Sequence, residues 1–249
     1  MSAPELIPLE LTDSVAEDAE SLAALHDREV TPDLLAALRE ARFPACLGLL
    51  PASAAAVEAW RAMSAGLAEI PEAPDAAALD DLASEYAAIY LTGAYGASPY
   101  ESVWTDDEHI TCQAAMFQLR DIYAAAGLAA TDWRQRADDH LVLQLLYVAH
   151  AARHATSPDH LRKLARVLDD HLLRWLPDFA ARVTLRSSSA FYAGLAVLTA
   201  AWLDTLRDVI ADHLNEPRPT AEEIEARLRP SVEPPAEPIA FMPGVGPSW

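Results

Sequence analysis

From Leu34 to Val209 the large apolar residues return every third or fourth position, and no stretch keeps the alternation of a half-buried strand. That periodicity restricts the chain to helices whose apolar stripes must pack on one another. Alanine and leucine dominate while only eight glycines occur, and the former lose little entropy in a helix. The one hint of a strand, Val183 with Leu185, is too short to stand.

Capping signals divide the pattern. Thr31-Pro32-Asp33 opens a helix with Leu34, Leu35 and Leu38 as its stripe. A second covers Ala52 to Leu67, and Pro71 and Pro74 break the chain after it. Leu79, Leu82, Tyr86, Ile89 and Tyr90 mark a third, ended by Gly93 as a left-handed cap. Met116, Leu119, Ile122 and Tyr123 mark the next. Leu141, Leu145, Val148 and Ala149 follow, on a helix opened by Asp138 or Asp139. Ser157-Pro158-Asp159 starts another, which Pro177 is expected to close. Phe191 to Val209 gives a long apolar helix, and Thr220 with Glu223 forms a capping box before a last short one. The expected fold class is all-α: one globular helical domain over residues 21–215, with any hinge between two lobes near the 93–108 loop or the 154–158 turn. Residues 1–20 read as a flexible acidic arm. Residues 216–249 read as a short helix and proline-rich tail, since eight of the 18 prolines fall between Pro217 and Pro247. The tail's apolar end, Phe241 to Trp249, is expected to pack back on the body.

Thirty-eight acidic against 18 basic side chains leave a net charge of −20. This argues against nucleic acid and against anionic lipid as partners, since both need a basic face. Two cysteines without a CxxC exclude a disulfide framework and a multi-cysteine zinc site. The N-terminus lacks the apolar core of a secretory signal, and no apolar run reaches membrane-spanning length, so a cytoplasmic protein is expected. No phosphate-cradling glycine loop, GxSxG or HExxH occurs.

Three features invite chemistry. His150 and His154, four apart, either grip a metal or are two exposed polar residues. Asp139-His140 either caps a helix or faces a groove as a carboxylate–imidazole pair. The 93–108 loop sets Tyr95, Tyr100 and Trp104 among Glu101, Asp106, Asp107 and Glu108. Its aromatics either plug the core or grip a peptide whose arginines the carboxylates would fork.

At this loop the sequence resembles the TorD/DmsD/NarJ family of molybdoenzyme chaperones. Tyr86 to Tyr90, then Gly93, then Ser98-Pro99-Tyr100-Glu101-Ser102-Val103-Trp104 is similar to the family's P-x-E-S-V-[YW] region. Asp138-Asp139-His140-Leu141 resembles its E-P-x-D-H-[LI] segment, His171-Leu172 with Trp175 its H-L-x-x-W stretch, and Phe191-Tyr192 with Leu195 its F-Y-x-x-L stretch. Ala137 stands where the family often has proline, and Gln144 where many members have glutamate.

The resemblance implies a cytoplasmic, non-enzymatic chaperone, monomeric or a domain-swapped dimer. Its partner would be the apo catalytic subunit of a molybdenum oxidoreductase, its twin-arginine signal peptide, or both. They would be held until the cofactor is loaded. No cofactor is expected to bind stably, transient contact with molybdopterin guanine dinucleotide or GTP aside. The implied client-binding residues are Tyr86, Tyr90, Pro99, Tyr100, Glu101, Ser102, Trp104, Asp139 and His140. Two other classes stay open: a guanine-nucleotide handler or weak GTPase acting in cofactor delivery, and a scaffold for a non-exported enzyme of the nitrate reductase kind.

Overall fold

The computed structural model describes residues 9–229. Residues 1–8 of the expected arm and 230–249 of the expected tail lie outside the described residues. The remainder is helical: α1 (Leu9–Asp27), α2 (Pro32–Glu40), α3 (Ala54–Glu69), α4 (Ala76–Tyr86), α5 (Ser102–Thr105), α6 (Ala114–Ala125), α7 (Leu141–Arg153), α8 (Pro158–Val167), α9 (Leu173–Arg186), α10 (Ala190–Leu214) and α11 (Ala221–Leu228). Single π turns extend α4 over Ala87–Leu91 and join α8 to α9 over Leu168–Leu172.

The caps act as their residue types dictate. Thr31 Oγ1 accepts from Leu34 N at 3.2 Å, with Pro32 at the first helical position. Ser157 Oγ accepts from His160 N ahead of Pro158. Gly93 follows the α4 extension at φ 65°.

Residues up to Arg218 form one compact unit, and residues from Pro219 form another. In the first, α10 packs along α3 and α9, and α1 along α7. Trp175, Phe179, Phe191, Tyr192 and Trp202 are fully buried there, each contributing about 1.5–3 kcal/mol by leaving water. The unit runs unbroken through both expected hinge positions, because these pairings join helices from either side of them. In the second unit, α11 carries the expected capping box: Thr220 N donates to Glu223 Oε2 and Glu223 N to Thr220 Oγ1.

Three local readings are corrected. Residues 9–20 are not an arm but the first part of α1, with Val15, Ala16 and Ala19 buried; acidic residues on its outer face hid a short-residue apolar stripe. Pro177 does not close a helix. It lies inside α9, shortly after the π turn over Leu168–Leu172, and α9 continues to Arg186 with Val183 buried as a helical residue. The carboxylates of Asp138 and Asp139 do not cap α7. His140 does, its Nδ1 accepting from Val142 N at 3.1 Å.

Buried polar groups cross-tie the helices. Asp18 on α1 accepts from the backbone N–H groups of Gly48 and Leu49 and, at 3.0 Å, from Trp202 Nε1 on α10. Glu85 accepts from Tyr95, Ser187 and Ser188. Its burial raises the carboxyl pKa, but these hydrogen bonds outweigh burial and the net shift is downward.

His26 is 1% exposed and lies between Tyr90 and Thr199. Thr199 donates its hydroxyl proton to Leu195 O, so its Oγ1 accepts from His26 Nε2–H. Nδ1 therefore accepts from Tyr90 O–H at 2.6 Å, and the ring is neutral. Burial lowers the pKa of His26 to about 3, and burial, then Arg136 and His26, lowers that of His140 to about 3. Below pH 6.5 the unfolded chain binds these protons and the native state does not, so stability falls as pH drops from about 6.5 towards 3. Each histidine is expected to contribute about 2 kcal/mol of loss between about pH 6.5 and pH 4.5, above most carboxylate titration. Urea midpoints measured across that window check this, and His26→Gln should roughly halve the slope. A flat profile would contradict it.

Candidate functional site

Two segments far apart in sequence meet in a single antiparallel bridge between Tyr100 and His140. Glu101 N donates to Asp139 O at 3.1 Å and Leu141 N to Pro99 O at 2.8 Å. The bridge places the 98–106 loop across the N-terminus of α7, and short α5 hangs from it. Ser102 N donates to Asp139 Oδ2 at 2.9 Å, and Ser102 Oγ accepts from Gln113 N, fixing the entry to α6.

The polar side chains here are internal. Glu101 and Asp139 are 0% exposed, Ser102 0% and His140 5%. Glu101 Oε1 lies 2.9 Å from Nδ1 of His171, in the π turn before α9. Gln144 Nε2 donates to Asp139 O at 3.0 Å. Asp138 Oδ2 takes Nε and Nη2 of Arg120 at 3.1 and 2.8 Å, while Tyr123 O–H donates to Asp138 O. The Tyr100 ring stands edge-on to His140 at 4.8 Å.

Trp104 is half-buried. Its Nε1 donates to Ser98 O at 2.8 Å, its ring meets Phe179 edge-on, and the Arg182 guanidinium covers it at 5.8 Å. Tyr86 and Tyr90 lie deeper, 4.8 Å apart, with Tyr86 O–H donating to Asp27 O. Phe179 links the two groups, its ring 6.4 Å from Tyr90 and 6.5 Å from Trp104.

The structure therefore joins Pro99, Tyr100, Glu101, Ser102, Asp139 and His140 in one knot, reaches Trp104 through α5, and sets Tyr86 and Tyr90 apart in the core. What it presents outward is Tyr100 and Trp104, each partly exposed, beside half-buried Asp106 and exposed Asp107 and Glu108. Glu101, Asp139 and His140 do not line an open groove; they set the position of the residues that face solvent. Gln144, 1% exposed, is likewise an internal tie. Arg120 and Gln144 belong to the knot although no motif reading assigned them a contact, and the His171–Glu101 pairing spans 70 residues. Only the resemblance, through its H-L-x-x-W stretch, pointed towards His171.

His150 and His154 stack at 4.1 Å, and no three His, Cys, Asp or Glu side chains among the described residues are grouped to hold a metal ion. No helix among the described residues is long and apolar enough to cross a membrane.

Residues 51–181, which contain both halves of the bridge, match the family described as Nitrate reductase delta subunit. The chain is 29% identical over 144 residues to chaperone protein TorD of Vibrio cholerae serotype O1, covering 55% of this chain and 65% of that one. It is 31% identical over 147 residues to chaperone protein TorD of Shewanella piezotolerans, covering 56% and 66%. Against chaperone protein TorD of a Shewanella species (strain ANA-3) it is 29% identical over 191 residues, covering 73% and 87%. The chain thus spans just under two thirds of the length of the first two relatives.

Proposed function

The chain belongs to the Nitrate reductase delta subunit family, and from this premise we propose that it is a non-enzymatic chaperone in molybdoenzyme maturation. It binds the apo catalytic subunit of a molybdenum oxidoreductase in the cytoplasm through that subunit's twin-arginine signal peptide. The observation that carries this reading is the outward face of the bridge. Tyr100 and Trp104 are held rigidly from behind, beside the carboxylates of Asp106, Asp107 and Glu108. Rigid aromatics grip an apolar stretch at little entropic cost. Adjacent carboxylates can receive guanidinium groups bidentately. A twin-arginine signal supplies both, its two guanidiniums preceding the apolar stretch along its chain. Glu101, Ser102, Asp139 and His140 act as positioning residues for this face.

The test has two stages. Tagged protein is recovered from its anaerobically grown source organism and the bound chains are identified by mass spectrometry. The recovered client's signal peptide is then titrated against pure protein. Trp104→Ala is expected to weaken binding about tenfold or more, and replacing both peptide arginines by glutamine to do the same. Recovery of a client without an RR signal would move the protein towards the nitrate-reductase kind of scaffold. Unchanged affinity in both substitutions would sink the proposal.

A further inference from the structure

Trp104 does not meet solvent as a bare ring. The Arg182 guanidinium lies over it at 5.8 Å, while Phe179 touches it only edge-on. Arg182 projects from the exposed side of α9, and its Nη1 donates to Gly96 O at 3.3 Å. Both anchors are weak. A cation is drawn to an aromatic face only within about 6 Å of the ring centre. An N–H···O bond is normally about 2.7–3.2 Å long.

The arginines around the knot are held more firmly. Arg120 gives Asp138 two hydrogen bonds, at 3.1 and 2.8 Å, and Arg136 is ion-paired with Asp27. Arg182 has no carboxylate in ion-pairing reach among the described residues, although the chain carries 38 acidic side chains. Asp107 and Glu108, exposed at the end of α5, are not ion-paired among the described residues either. A loosely held guanidinium therefore occupies the aromatic face, and carboxylates close by in the chain are left open.

We infer that Arg182 is a resident competitor: its guanidinium holds the Trp104 face until an arginine of the client peptide takes its place. This rests on the chaperone reading above and adds how the site is regulated. One arginine of the pair replaces Arg182 on the ring, and the other is left to Asp106, Asp107 and Glu108. The exchange trades one planar cation for another, and the displaced side chain moves into water from an exposed stem. Net gain at the ring is therefore small, which keeps the peptide releasable, because Arg182 retakes the ring as the client leaves. A lysine regains less, since its compact, strongly hydrated ammonium does not stack as a guanidinium does.

The recovered client's signal peptide, made synthetically, is titrated against the full chain as wild type, Arg182→Gln, Trp104→Leu and the double variant. Arg182→Gln is expected to bind about two- to fivefold more tightly, the value of one exposed cation–aromatic contact. That gain should disappear when Trp104 is already leucine, because the two residues then no longer interact. Arg186→Gln, which removes an exposed cation one turn further along α9, should leave affinity unchanged and so exclude a bulk charge effect. In nitrogen-15-labelled protein the Arg182 Nε–H resonance should be displaced by the ring, as judged against Trp104→Leu. It should return towards the free-arginine position as peptide saturates the site. Unchanged or weaker binding by Arg182→Gln, equal tightening with and without Trp104, or an Arg182 signal that ignores the peptide would each overturn the inference and leave the chaperone reading standing. A wild-type protein that binds no twin-arginine peptide would instead defeat that reading, and this inference with it.

Discussion

Asp169→Ala is expected to destabilise the protein by about 3–5 kcal/mol, enough to remove a large part of the stability of a domain this size. Asp169 sits in the π turn between α8 and α9 and accepts from Arg207 on α10, Oδ1 from Nε at 2.8 Å and Oδ2 from Nη2 at 3.0 Å. Both side chains are only 6% exposed. The bidentate geometry offsets much of the cost of removing two charges from water. Deleting the carboxylate leaves a guanidinium that cannot lose its proton and cannot reach water. The cost is therefore that of a stranded charge, not of one hydrogen bond. Replacing both partners with apolar residues, Asp169→Leu with Arg207→Met, removes the charge as well and should recover most of the loss. Urea unfolding of the two variants separates the cases. A loss under about 1 kcal/mol in the single variant would mean that the guanidinium finds water and the pair is not sealed.

Asp169 and Arg207 also show what a one-dimensional reading misses. Each lies on a helix whose apolar stripe was legible, yet their pairing depends on how α10 crosses the turn, which no local period encodes. The caps at Thr31, Ser157 and Thr220 were legible because capping is settled within four residues. So were the stripes of α3, α7 and α10, because 3.6-residue periodicity follows directly from burial of one face. Helix α1 was hidden because its buried face uses Val15, Ala16 and Ala19, too small to stand out among aspartates and glutamates. The site divides the same way. Its residues were found as loop and motif members, but their orientation follows from the Tyr100–His140 bridge, a contact 40 positions apart in sequence. Acidic residues in a loop suggest an open surface. Here the bridge turns Glu101 inward to His171 and leaves Asp106, Asp107 and Glu108 outside.

The crossing of α3 and α10 makes the second large prediction, and one whose sign intrinsic propensity gets wrong. Gly66 on α3 and Gly194 on α10 each face the other helix's backbone. A Cβ built on Gly66 would lie 2.6 Å from the Ala190 carbonyl carbon and 2.8 Å from Phe191 N. One built on Gly194 would lie 2.9 Å from Met63 Cα. Glycine within a helix is normally a liability, and Gly→Ala at an open position stabilises by about 0.5–1 kcal/mol. At Gly66 the obstructing atoms are main chain at the start of α10, so no rotamer change relieves them. Gly66→Ala is expected to cost about 1–3 kcal/mol by pushing the helices apart, and Gly66→Val to cost more. The exposed neighbour Ala65 supplies the control: Ala65→Gly should cost about 1 kcal/mol through backbone freedom alone. Opposite responses to the same pair of residue types, one position apart, would locate the effect in the crossing. If Gly66→Ala instead raised the unfolding midpoint, the helices would have to lie further apart than drawn. The packing of Phe191 and Tyr192, which follows from that spacing, would then need revision.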